Sequence, residues 1–339
     1  MRIAVDAMGG DHSPGVIARG AVEAAMSDPK GLEIALVGDE AGIRAELDKI
    51  SAGSAKLDIV HASQTIGMSE PPAVAVRRKK DASIPVAVRL MKEGKADALV
   101  SAGNTGAVVA SSLVTLGRLH GVSRPAISTY WPTSKRGAVV LDAGANYECL
   151  PKHLLHFAVM GTVFAEHQHG IENPRVGLLN IGEEPSKGNE LVREAYKLLN
   201  NSDLNFIGNV EGRDVFGGAA DVVVCDGFVG NVALKLSESI ISFLTHMVKQ
   251  EIRKRIMAKI GTMLLRGAFN SVRTKLDYAE YGGAPLLGVN GVIIISHGKS
   301  SSRAIKNAIL VAKKFVDRGV NDHIEERFKG LVSDLAEIT

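Results

Sequence analysis

Aromatic residues and cysteines are scarce in this chain of 339 residues, and each shortage excludes a class of protein. Aromatics make up only 4% of the sequence, so Val, Ile, Leu and Ala must build the core. The two cysteines, Cys149 and Cys225, are too few for a disulfide framework or a cysteine-based metal site, which favours a reducing, cytoplasmic compartment. The net charge of +3 is too small to indicate a nucleic-acid partner.

Targeting and membrane-spanning segments are also missing from the sequence pattern. The opening stretch, MRIAVDAMGGD, lacks the basic and then apolar layout of a signal peptide. No run of about 18 apolar residues stands out, so we expect no segment that spans a bilayer. The chain is therefore predicted to be cytoplasmic, either soluble or peripherally attached to a membrane.

Several catalytic signatures are absent, which narrows the possible chemistry. No Gly-x-Gly occurs, so the dinucleotide-binding fingerprint is missing, and there is no Walker A pattern, Gly-x-Ser-x-Gly elbow or His-Glu-x-x-His motif. His153, His156, His167 and His169 have no carboxylate or cysteine partner at ligand spacing, so we interpret them as surface or packing residues. The residues thus predict no metal site and no cofactor.

What the sequence does contain is a regular alternation of β-type runs and helical stretches. Runs such as Arg2–Asp6 and Glu33–Val37 are separated by helical stretches such as Pro14–Met26 and Ala41–Ile50. This alternation predicts parallel βαβ units with right-handed crossovers. We therefore expect an α/β fold with an open, mostly parallel α/β/α sheet, forming one elaborated domain over residues 1–339.

Four Gly-Asn pairs each lie between a β-type run and a helical or polar segment. They are Gly103-Asn104, Gly188-Asn189, Gly208-Asn209 and Gly230-Asn231. In an open α/β sheet, ligands bind outside the carboxyl ends of the strands, where glycine lets the backbone approach a ligand and a helix N-terminus offers N–H groups to an anion. Because Lys187, Arg213 or Lys235 lies within four residues of three pairs, the pattern indicates a polar, anion-holding site.

Polar residues at these strand ends are candidate ligands for the anion. Lys187 lies in GEEPSKGNE between a β-type run and a helix, where a point charge suits a phosphate, although a solvated loop lysine is the alternative. Asn231 could act on a substrate or cap a helix, and Asp226 could orient a substrate or form a turn. The other candidates for substrate binding, for which ordinary turns are the alternative, are Asp6, Gly9, Gly10, Asn104, Asn189 and His297.

A run of four basic residues follows the sequence EPPAVAV. It consists of Arg77, Arg78, Lys79 and Lys80. A solvated face is the usual explanation for such a run, but it would also suit the docking of an acidic partner protein.

The segment 238–272 is predicted to be a protruding amphipathic helix. Its apolar stripe at i, i+4 spacing is formed by Ile252, Ile256, Ile260, Met263 and Leu264, and lysines and arginines occupy the other faces. Basic charge beside an apolar stripe is what a helix at a membrane surface needs, whereas packing on the body or on a dimer mate is the alternative.

Seven blocks of sequence together resemble one known family. They are DAMGGDHSP, SAGNTGA, LDAGAN, VGLLNIGEEPSKGNE, IGNVEGRD, DVVVCDGFVGNVALK and YGGAPLLGVNG, and they span nearly the whole chain. The chain is thereby identified as a member of the bacterial phosphate acyltransferase family of phospholipid synthesis, the acyl-ACP:phosphate acyltransferases. One departure is Tyr147-Glu148, where the family commonly has Val-Asp, and we expect altered packing there rather than lost activity.

The resemblance implies a specific reaction and setting. Members transfer a long-chain acyl group from acyl carrier protein to inorganic phosphate, and the acyl phosphate passes to a membrane glycerol-3-phosphate acyltransferase on the route to phosphatidic acid and phospholipids. The implied fold is similar to that of phosphotransacetylase and the isopropylmalate dehydrogenases, in a homodimer attached peripherally to the membrane with no metal or nucleotide. By position, Lys187 and Asn231 match the reaction centre, with Asn104 and Asn189 nearby.

Other functions share parts of this pattern. A phosphotransacetylase-type enzyme acting on acyl-CoA would share the fold and the anion site but would not need a membrane segment. A decarboxylating dehydrogenase would need NAD and a metal held by aspartates such as Asp142, Asp221 and Asp226, for which no ligand cluster is apparent. A non-catalytic regulator that binds phosphate or lipid is the third alternative.

Overall fold

Strands and helices alternate along the chain, as the sequence predicts. A computed structural model describes residues 1–51, 53, 55–269, 271 and 282–337, with backbone alone at 256, 259, 260 and 331–337. The strands are β1 Arg2–Asp6, β2 Glu33–Gly38, β3 Lys56–His61, β4 Ala98–Ser101, β5 Ala126–Ile127, β6 Thr129–Trp131, β7 Ala138–Leu141, β8 Val176–Leu179, β9 Phe206–Val210, β10 Val222–Val224, β11 Ala284–Leu287 and β12 Val292–Ile295. The helices are α1 Gly15–Ser27, α2 Glu40–Leu47, α3 Pro72–Arg78, α4 Ser83–Lys92, α5 Thr105–Thr115, α6 Pro151–His169, α7 Glu190–Asn200, α8 Gly212–Gly217, α9 Gly227–Lys254, α10 Ile256–Leu264, α11 Ser302–Asp317 and α12 Val320–Glu337.

The first sheet has seven strands in the order β3-β2-β1-β4-β12-β11-β5. The strands from β3 to β12 in this order are parallel, and β11 runs antiparallel to both of its neighbours. All residues of β4 (ALVS) and β12 (VIII) are buried, because helices cover both faces of a parallel sheet. The carboxyl ends of β1, β4 and β12 therefore lie side by side at one edge.

The second sheet has five strands in the order β6-β7-β10-β8-β9, all parallel except β6. It meets the first sheet at β5, where Ile127 N–H donates to Asp142 Oδ1 at 3.0 Å and Ile127 O accepts from Ala143 N–H at 2.9 Å. The predicted mostly parallel α/β arrangement is confirmed, and it is divided between two sheets that share this junction.

The structure corrects the sequence prediction at three elements. Strand β11 was not predicted; it is a segment of four residues that contains a proline. Strand β9 extends to Val210, so Gly208-Asn209 lies inside a strand rather than at its end; Gly208 has φ +93° beside a register irregularity. Helix α9 begins at Gly227, well before the predicted start of the amphipathic segment.

The core is aliphatic, as the scarcity of aromatics requires. Its largest fully buried side chains include Ile3, Ile34, Leu36, Leu99 and Leu141. The main aromatic contributions are Phe157 of α6 and Phe328 of α12.

Helix α9 carries an apolar face that the rest of the described chain leaves uncovered. Its exposed apolar residues recur at helical spacing and include Val232, Leu236, Ile240, Phe243, Leu244, Met247 and Val248. By length and composition alone α9 could cross a membrane, with a mean hydropathy of 1.2 over an 18-residue window of which 11% is buried. The predicted amphipathic segment 238–272 includes the later part of this face, whereas Val232 and Leu236 lie before its predicted start.

A histidine in α6 makes stability sensitive to acid. His156 Nδ1 accepts a hydrogen bond from Ser123 N–H at 3.3 Å, and its ring meets Phe328 edge-on. Burial lowers the pKa of His156 to about 4, so the unfolded chain takes up this proton first as the pH falls from about 6.5 to about 4. The free energy of unfolding therefore keeps the full contribution of His156 above pH 6.5 and loses it as the pH falls from 6.5 to about 4.

Replacement of His156 by Gln tests this linkage, since Gln can still accept from Ser123 N–H but does not titrate. We expect the decrease in the free energy of unfolding between pH 7.5 and pH 5, measured with urea, to be smaller in His156→Gln than in the wild type. Equal decreases in the two proteins would exclude His156 as a source of acid sensitivity.

Candidate active site

The first cluster of candidate residues lies where β1 and β4 end side by side. Asp6, the last residue of β1, is buried; its Oδ2 accepts from Ser101 Oγ at 2.7 Å and its Oδ1 from Met8 N–H at 3.1 Å. Burial raises the pKa of the Asp6 carboxyl above its ordinary value. The carboxyl thus fastens the turn to β4, and contact with substrate stays a prediction.

Close backbone approach explains the Gly-Gly pair in the turn after β1. A Cβ at Gly9 would lie 2.5 Å from the backbone nitrogen of Gly103, and one at Gly10 would lie 2.9 Å from the carbonyl oxygen of Gly298. Gly10 also has φ +95°, which disfavours other residues. Asp11 N–H donates to Gly298 O at 2.8 Å, so the turns after β1, β4 and β12 touch one another.

Both the oxygen and the nitrogen of the Asn104 side-chain amide are hydrogen-bonded within the protein. Its Oδ1 accepts from Ala107 N–H at 3.1 Å, which caps α5. Its Nδ2 donates to the carbonyl oxygens of Gly67, Met68 and Glu70 at 3.2, 3.1 and 3.1 Å. The side chain therefore holds the loop before α3 in place, and its predicted role in substrate binding is left to test.

The second cluster centres on Asp142, which follows β7. This buried carboxylate accepts hydrogen bonds from the backbone N–H groups of Ile127, Gly144, Ala145 and Asn146, and also from Asn146 Nδ2. Burial raises its pKa above the ordinary value, and the hydrogen bonds oppose that effect. Asp142 shapes the turn LDAGAN and ties it to the first sheet.

Helix α9 begins directly against this turn. Asp226 caps it by accepting from Val229 N–H at 2.9 Å, so the alternative in which Asn231 is the cap is wrong. A Cβ at Gly230 would lie 1.9 Å from the carbonyl oxygen of Asp142, which only glycine permits. A Cβ at Gly144 would lie 3.4 Å from Asn231 Cγ, so the Asn231 amide lies over the turn that follows β7.

Lys187 lies in the loop between β8 and α7, with its backbone fixed and its side chain exposed. Lys187 N–H donates to Glu184 O at 3.1 Å, and Lys187 O accepts from Asn180 Nδ2 at 3.2 Å. Asn189 caps α7 by accepting from Val192 N–H at 3.0 Å. Among the described residues, the Lys187 ammonium makes no ion pair or hydrogen bond. A cation thus stands beside the N-terminus of a helix, which attracts anions.

Two asparagines that were not predicted as site residues hold the Lys187 loop. Asn209 Nδ2 donates to Glu184 O at 2.9 Å from inside β9. Asn180 supports the other end of the loop, and a Cβ at Gly188, which has φ +86°, would lie 2.6 Å from its Oδ1. The third and fourth Gly-Asn pairs of the sequence therefore differ in kind: Gly208-Asn209 braces a loop, whereas Gly230-Asn231 lies within a helix.

Helix α9 starts after β10 of the second sheet, and its residue Lys235 lies near His297 of the first sheet. His297, which follows β12, has its pKa lowered by partial burial and then by the positive charge of Lys235, one turn beyond Asn231. His297 Nδ1 accepts from Lys299 N–H at 3.1 Å. Strands β10 and β8 are adjacent, with neighbouring strands about 4.8 Å apart, so the Asp226 turn and the Lys187 loop leave the same edge. The Asp226 turn and the Lys187 loop thus lie at one edge of the second sheet, and His297 of the first sheet lies near Lys235 of α9.

The basic run divides into one structural residue and three exposed ones. Lys79 Nζ donates to Glu70 Oε1 at 2.7 Å and to Thr65 O at 2.8 Å, which fixes the loop that Asn104 also holds. Arg77, Arg78 and Lys80 are exposed and pair with no carboxylate in the described ranges.

The predicted membrane residues fall on two helices. Ile252, half-buried, lies near the end of α9, and Met263 and Leu264 at the end of α10 are 70% and 78% exposed. The side chains of Ile256 and Ile260 lie outside the described residues.

The aspartates that a metal-dependent dehydrogenase would need have other partners. Asp142 binds N–H groups, Asp226 caps α9, and Asp221 forms an ion pair with Arg175 at 2.9 Å. Over the parts of the chain that the structure describes, no group of three His, Cys, Asp or Glu side chains could hold a metal ion.

The fold is that of the phosphotransacetylases. A EutD phosphotransacetylase from Staphylococcus aureus superposes with a TM-score of 0.60 at 16% identity, covering 93% of this chain and 94% of that one. A phosphotransacetylase from Streptococcus pyogenes gives 0.59 at 20% identity, again covering 93% and 94%. The predicted likeness to this fold is confirmed.

The family model described as "Fatty acid synthesis protein" matches residues 1–323. Proteins named "Phosphate acyltransferase" from Heliobacterium modesticaldum and Desulforamulus reducens are 56% and 54% identical, over 98% and 96% of this chain and 99% and 97% of their own lengths. One from Geobacter sulfurreducens is 51% identical over 97% of this chain and 94% of its own. The chain belongs to this family of acyltransferases, and the resemblance stated from the sequence is confirmed.

Proposed function

We propose that the protein transfers a long-chain acyl group from acyl carrier protein to inorganic phosphate, releasing acyl phosphate for phosphatidic acid and phospholipid synthesis. Family membership supports acyl transfer to phosphate. The observation that carries the site assignment is that Lys187 and Asn231 follow adjacent strands of one sheet, each side chain without a polar partner among the described residues. A membrane glycerol-3-phosphate acyltransferase would consume the product.

Phosphate is the nucleophile in this proposal, so the protein needs to position it rather than supply a serine or cysteine. Lys187 and the N–H groups that the Asn189 cap leaves open in the first turn of α7 hold phosphate beside the thioester carbonyl. A phosphate oxygen bonds to the carbonyl carbon, the carbon–sulfur bond then breaks, and the thiolate leaves. Because a simple thiol has a pKa near 8.5, the leaving group needs no strong general acid.

Asn231 donates to the oxyanion that develops on the thioester oxygen. The amide lies over the Gly144 turn, in the first turns of a helix whose start is fixed by the Asp226 cap. We expect Asn231→Ala to lower kcat by about 100-fold, since loss of one oxyanion donor costs about 10²–10³. Asn201→Ala at the exposed end of α7 is the control and should leave kcat unchanged. An Asn231→Ala enzyme with the wild-type kcat would remove this residue from the reaction centre.

Arg77, Arg78 and Lys80 are proposed to dock the acidic carrier protein. Reversing all three charges to Glu should raise the KM for palmitoyl carrier protein by about tenfold and spare small thioesters, because exposed charges act chiefly on encounter. Lys79 is left unchanged, since it fixes a loop.

Three exposed lysines elsewhere provide the matched control for this charge reversal. Changing Lys30, Lys56 and Lys92 to Glu alters the net charge equally and should leave that KM unchanged. Equal changes in KM for the two triple variants would assign the effect to net charge and contradict a docking site at Arg77–Lys80.

We further propose a homodimer that attaches peripherally to the membrane in the cytoplasm. The exposed apolar face of α9 and the tip formed by Met263 and Leu264, with lysines and arginines between them, support contact with anionic lipid. Sedimentation with anionic vesicles tests this: Met263→Ser/Leu264→Ser should stay in solution. If the double variant still sediments but changes its oligomeric state, the tip pairs subunits instead.

The decisive experiment is acyl-phosphate formation from purified protein, palmitoyl carrier protein and inorganic phosphate, with palmitoyl-CoA alongside. Phosphate-dependent release of free carrier protein is the expected result. Activity on palmitoyl-CoA alone would favour a phosphotransacetylase-type enzyme. Phosphate binding without turnover of either thioester would favour a regulator.

A further inference from the structure

A cavity of about 180 Å³ lies away from the candidate active site. Its walls come from the C-terminal end of α6, the junction of β5 and β6, β11 and α11. Helix α6 starts beyond the carboxyl end of β7 and returns to the amino end of β8, so its last residues lie at the opposite edge of the sheet from Lys187 and Asn231. The cavity is therefore separate from the proposed reaction centre.

Among the residues that the structure describes, three polar atoms of the cavity lining have no hydrogen-bond partner. They are Ser128 Oγ, Gln168 Oε1 and His169 Nε2. Ser128 is fully buried and Gln168 is 3% exposed, so water at the surface does not satisfy them. A buried polar atom without a partner destabilises the folded protein, and three in one cavity indicate that a ligand supplies the missing bonds.

These atoms specify what the ligand must offer. The Gln168 oxygen only accepts, so it needs a hydroxyl or N–H donor, whereas the Ser128 hydroxyl both donates and accepts. Burial lowers the pKa of His169 to about 4, so the imidazole is neutral at pH 7 and adds no charge. Its ring stacks on Tyr130 at 4.1 Å and, with Phe164 and Val311, provides apolar walls.

A cation stands at the mouth of the cavity. Lys314 is exposed, and its Nζ donates to Gln168 O at 2.9 Å, leaving two of its three N–H groups for other partners. Arg318 binds the same carbonyl oxygen at 3.0 Å, so both residues also neutralise the C-terminal end of α6. Because Lys314 supplies the positive charge at the opening, an anionic group of the ligand would lie at the mouth. The hydroxyl or N–H groups of the ligand would then face Ser128 and Gln168 inside the cavity.

We propose that this cavity binds a small hydroxylated carboxylate of roughly six to nine non-hydrogen atoms, since a cavity of about 150 Å³ already holds benzene. The carboxylate pairs with Lys314, and the hydroxyl groups bond to Ser128 Oγ and donate to Gln168 Oε1. The site is independent of the acyl transfer reaction, so its test requires no turnover.

Calorimetry and saturation-transfer NMR with D-glycerate test the proposal, because glycerate carries both required groups. Propionate lacks the hydroxyls, and glycerol lacks the carboxylate. Glycerate should bind at one site per chain, and both comparison compounds should bind at least about tenfold more weakly. Glycerate binding no tighter than propionate and glycerol, or a crystal soaked in glycerate that shows water alone in the cavity, would overturn the proposal.

Variants assign the binding to this cavity. Lys314→Met should weaken glycerate binding at least about tenfold, and Lys329→Met on α12, an exposed lysine elsewhere, should not. Val311→Phe should fill the cavity and abolish binding. Because Lys314 is exposed and Arg318 still donates to Gln168 O in its absence, Lys314→Met should fold even if the Phe variant does not. Unchanged affinity in Lys314→Met would place the ligand elsewhere.

Discussion

Replacement of Lys187 by Met should reduce acyl-phosphate formation by at least about 1000-fold while the protein stays folded. The side chain is exposed, and its ammonium pairs with nothing in the described ranges, so its removal leaves no buried charge behind. In the proposed reaction centre, the variant loses the charge that holds phosphate beside the thioester carbonyl, and positioning with electrostatic stabilisation supplies most of the rate acceleration in such a site. Turnover of palmitoyl carrier protein with inorganic phosphate is the measurement.

Lys197→Met is the control for this prediction. Lys197 lies ten residues further along on α7, is exposed, and pairs with Glu194, so its variant carries the same change in charge at the wrong place. It should keep wild-type turnover, and both variants should keep the wild-type circular dichroism and melting temperature. A Lys187→Met enzyme that turns over at the wild-type rate would remove Lys187 from the reaction centre.

Replacement of Gly230 by Ala should destabilise the protein by more than about 3 kcal/mol, or prevent folding. The added Cβ would lie 1.9 Å from the carbonyl oxygen of Asp142 and 3.0 Å from Cys225 Sγ. The first contact is with backbone, so relief requires α9 to move off the turn that follows β7. That movement would disturb the Asp142 hydrogen bonds and displace the neighbouring Asn231. Urea unfolding measures the free energy of unfolding. A loss of acyl-phosphate formation in folded Gly230→Ala protein would report the displacement of Asn231.

Gly261→Ala is the matched control, because Gly261 is also inside a helix and an added Cβ there meets nothing within 4 Å. Alanine is favoured over glycine in helices by about 1 kcal/mol, so this variant should be as stable as the wild type or slightly more so. If Gly230→Ala unfolded at the wild-type urea concentration, the close contact between α9 and Asp142 would be refuted.

The regular parts of the fold could be predicted because their signals are local. β1 and β4 match their predicted bounds, since each is a short apolar run with a turn after it. Asn104 and Asn189 lie at helix starts, as Gly-Asn pairs after strands indicate. The β11 strand could not be found, because it is short, contains a proline, and pairs on one side with β5, a segment far away in sequence.

The candidate site was predicted in part. The Lys187 loop was predicted as part of the candidate site because Lys187 lies between a β-type run and a helical stretch, and the structure places it between β8 and α7. The importance of Asp142 was not predicted, since four of its five hydrogen bonds come from a turn whose shape appears only after folding and the fifth comes from β5. Asn180 and Asn209 were missed for a related reason. Each supports a loop through carbonyl oxygens that no sequence motif records.

In the arrangement proposed above, the length of α9 sets the distance between the thioester and the lipid surface. Its 28 residues span about 42 Å at 1.5 Å per residue, from the Asp226 cap to the junction with α10. One leaflet of a bilayer's hydrocarbon core, about 15 Å deep, accommodates a fatty acyl tail. With the helix upright on a membrane, a newly made acyl phosphate could not keep its head group near Asn231 and its tail among lipids at once. In this upright orientation, the acyl tail would have to move along the exposed leucine, isoleucine and phenylalanine side chains of α9 to reach the bilayer. If the helix lay flat on the membrane, the tail could enter the bilayer directly.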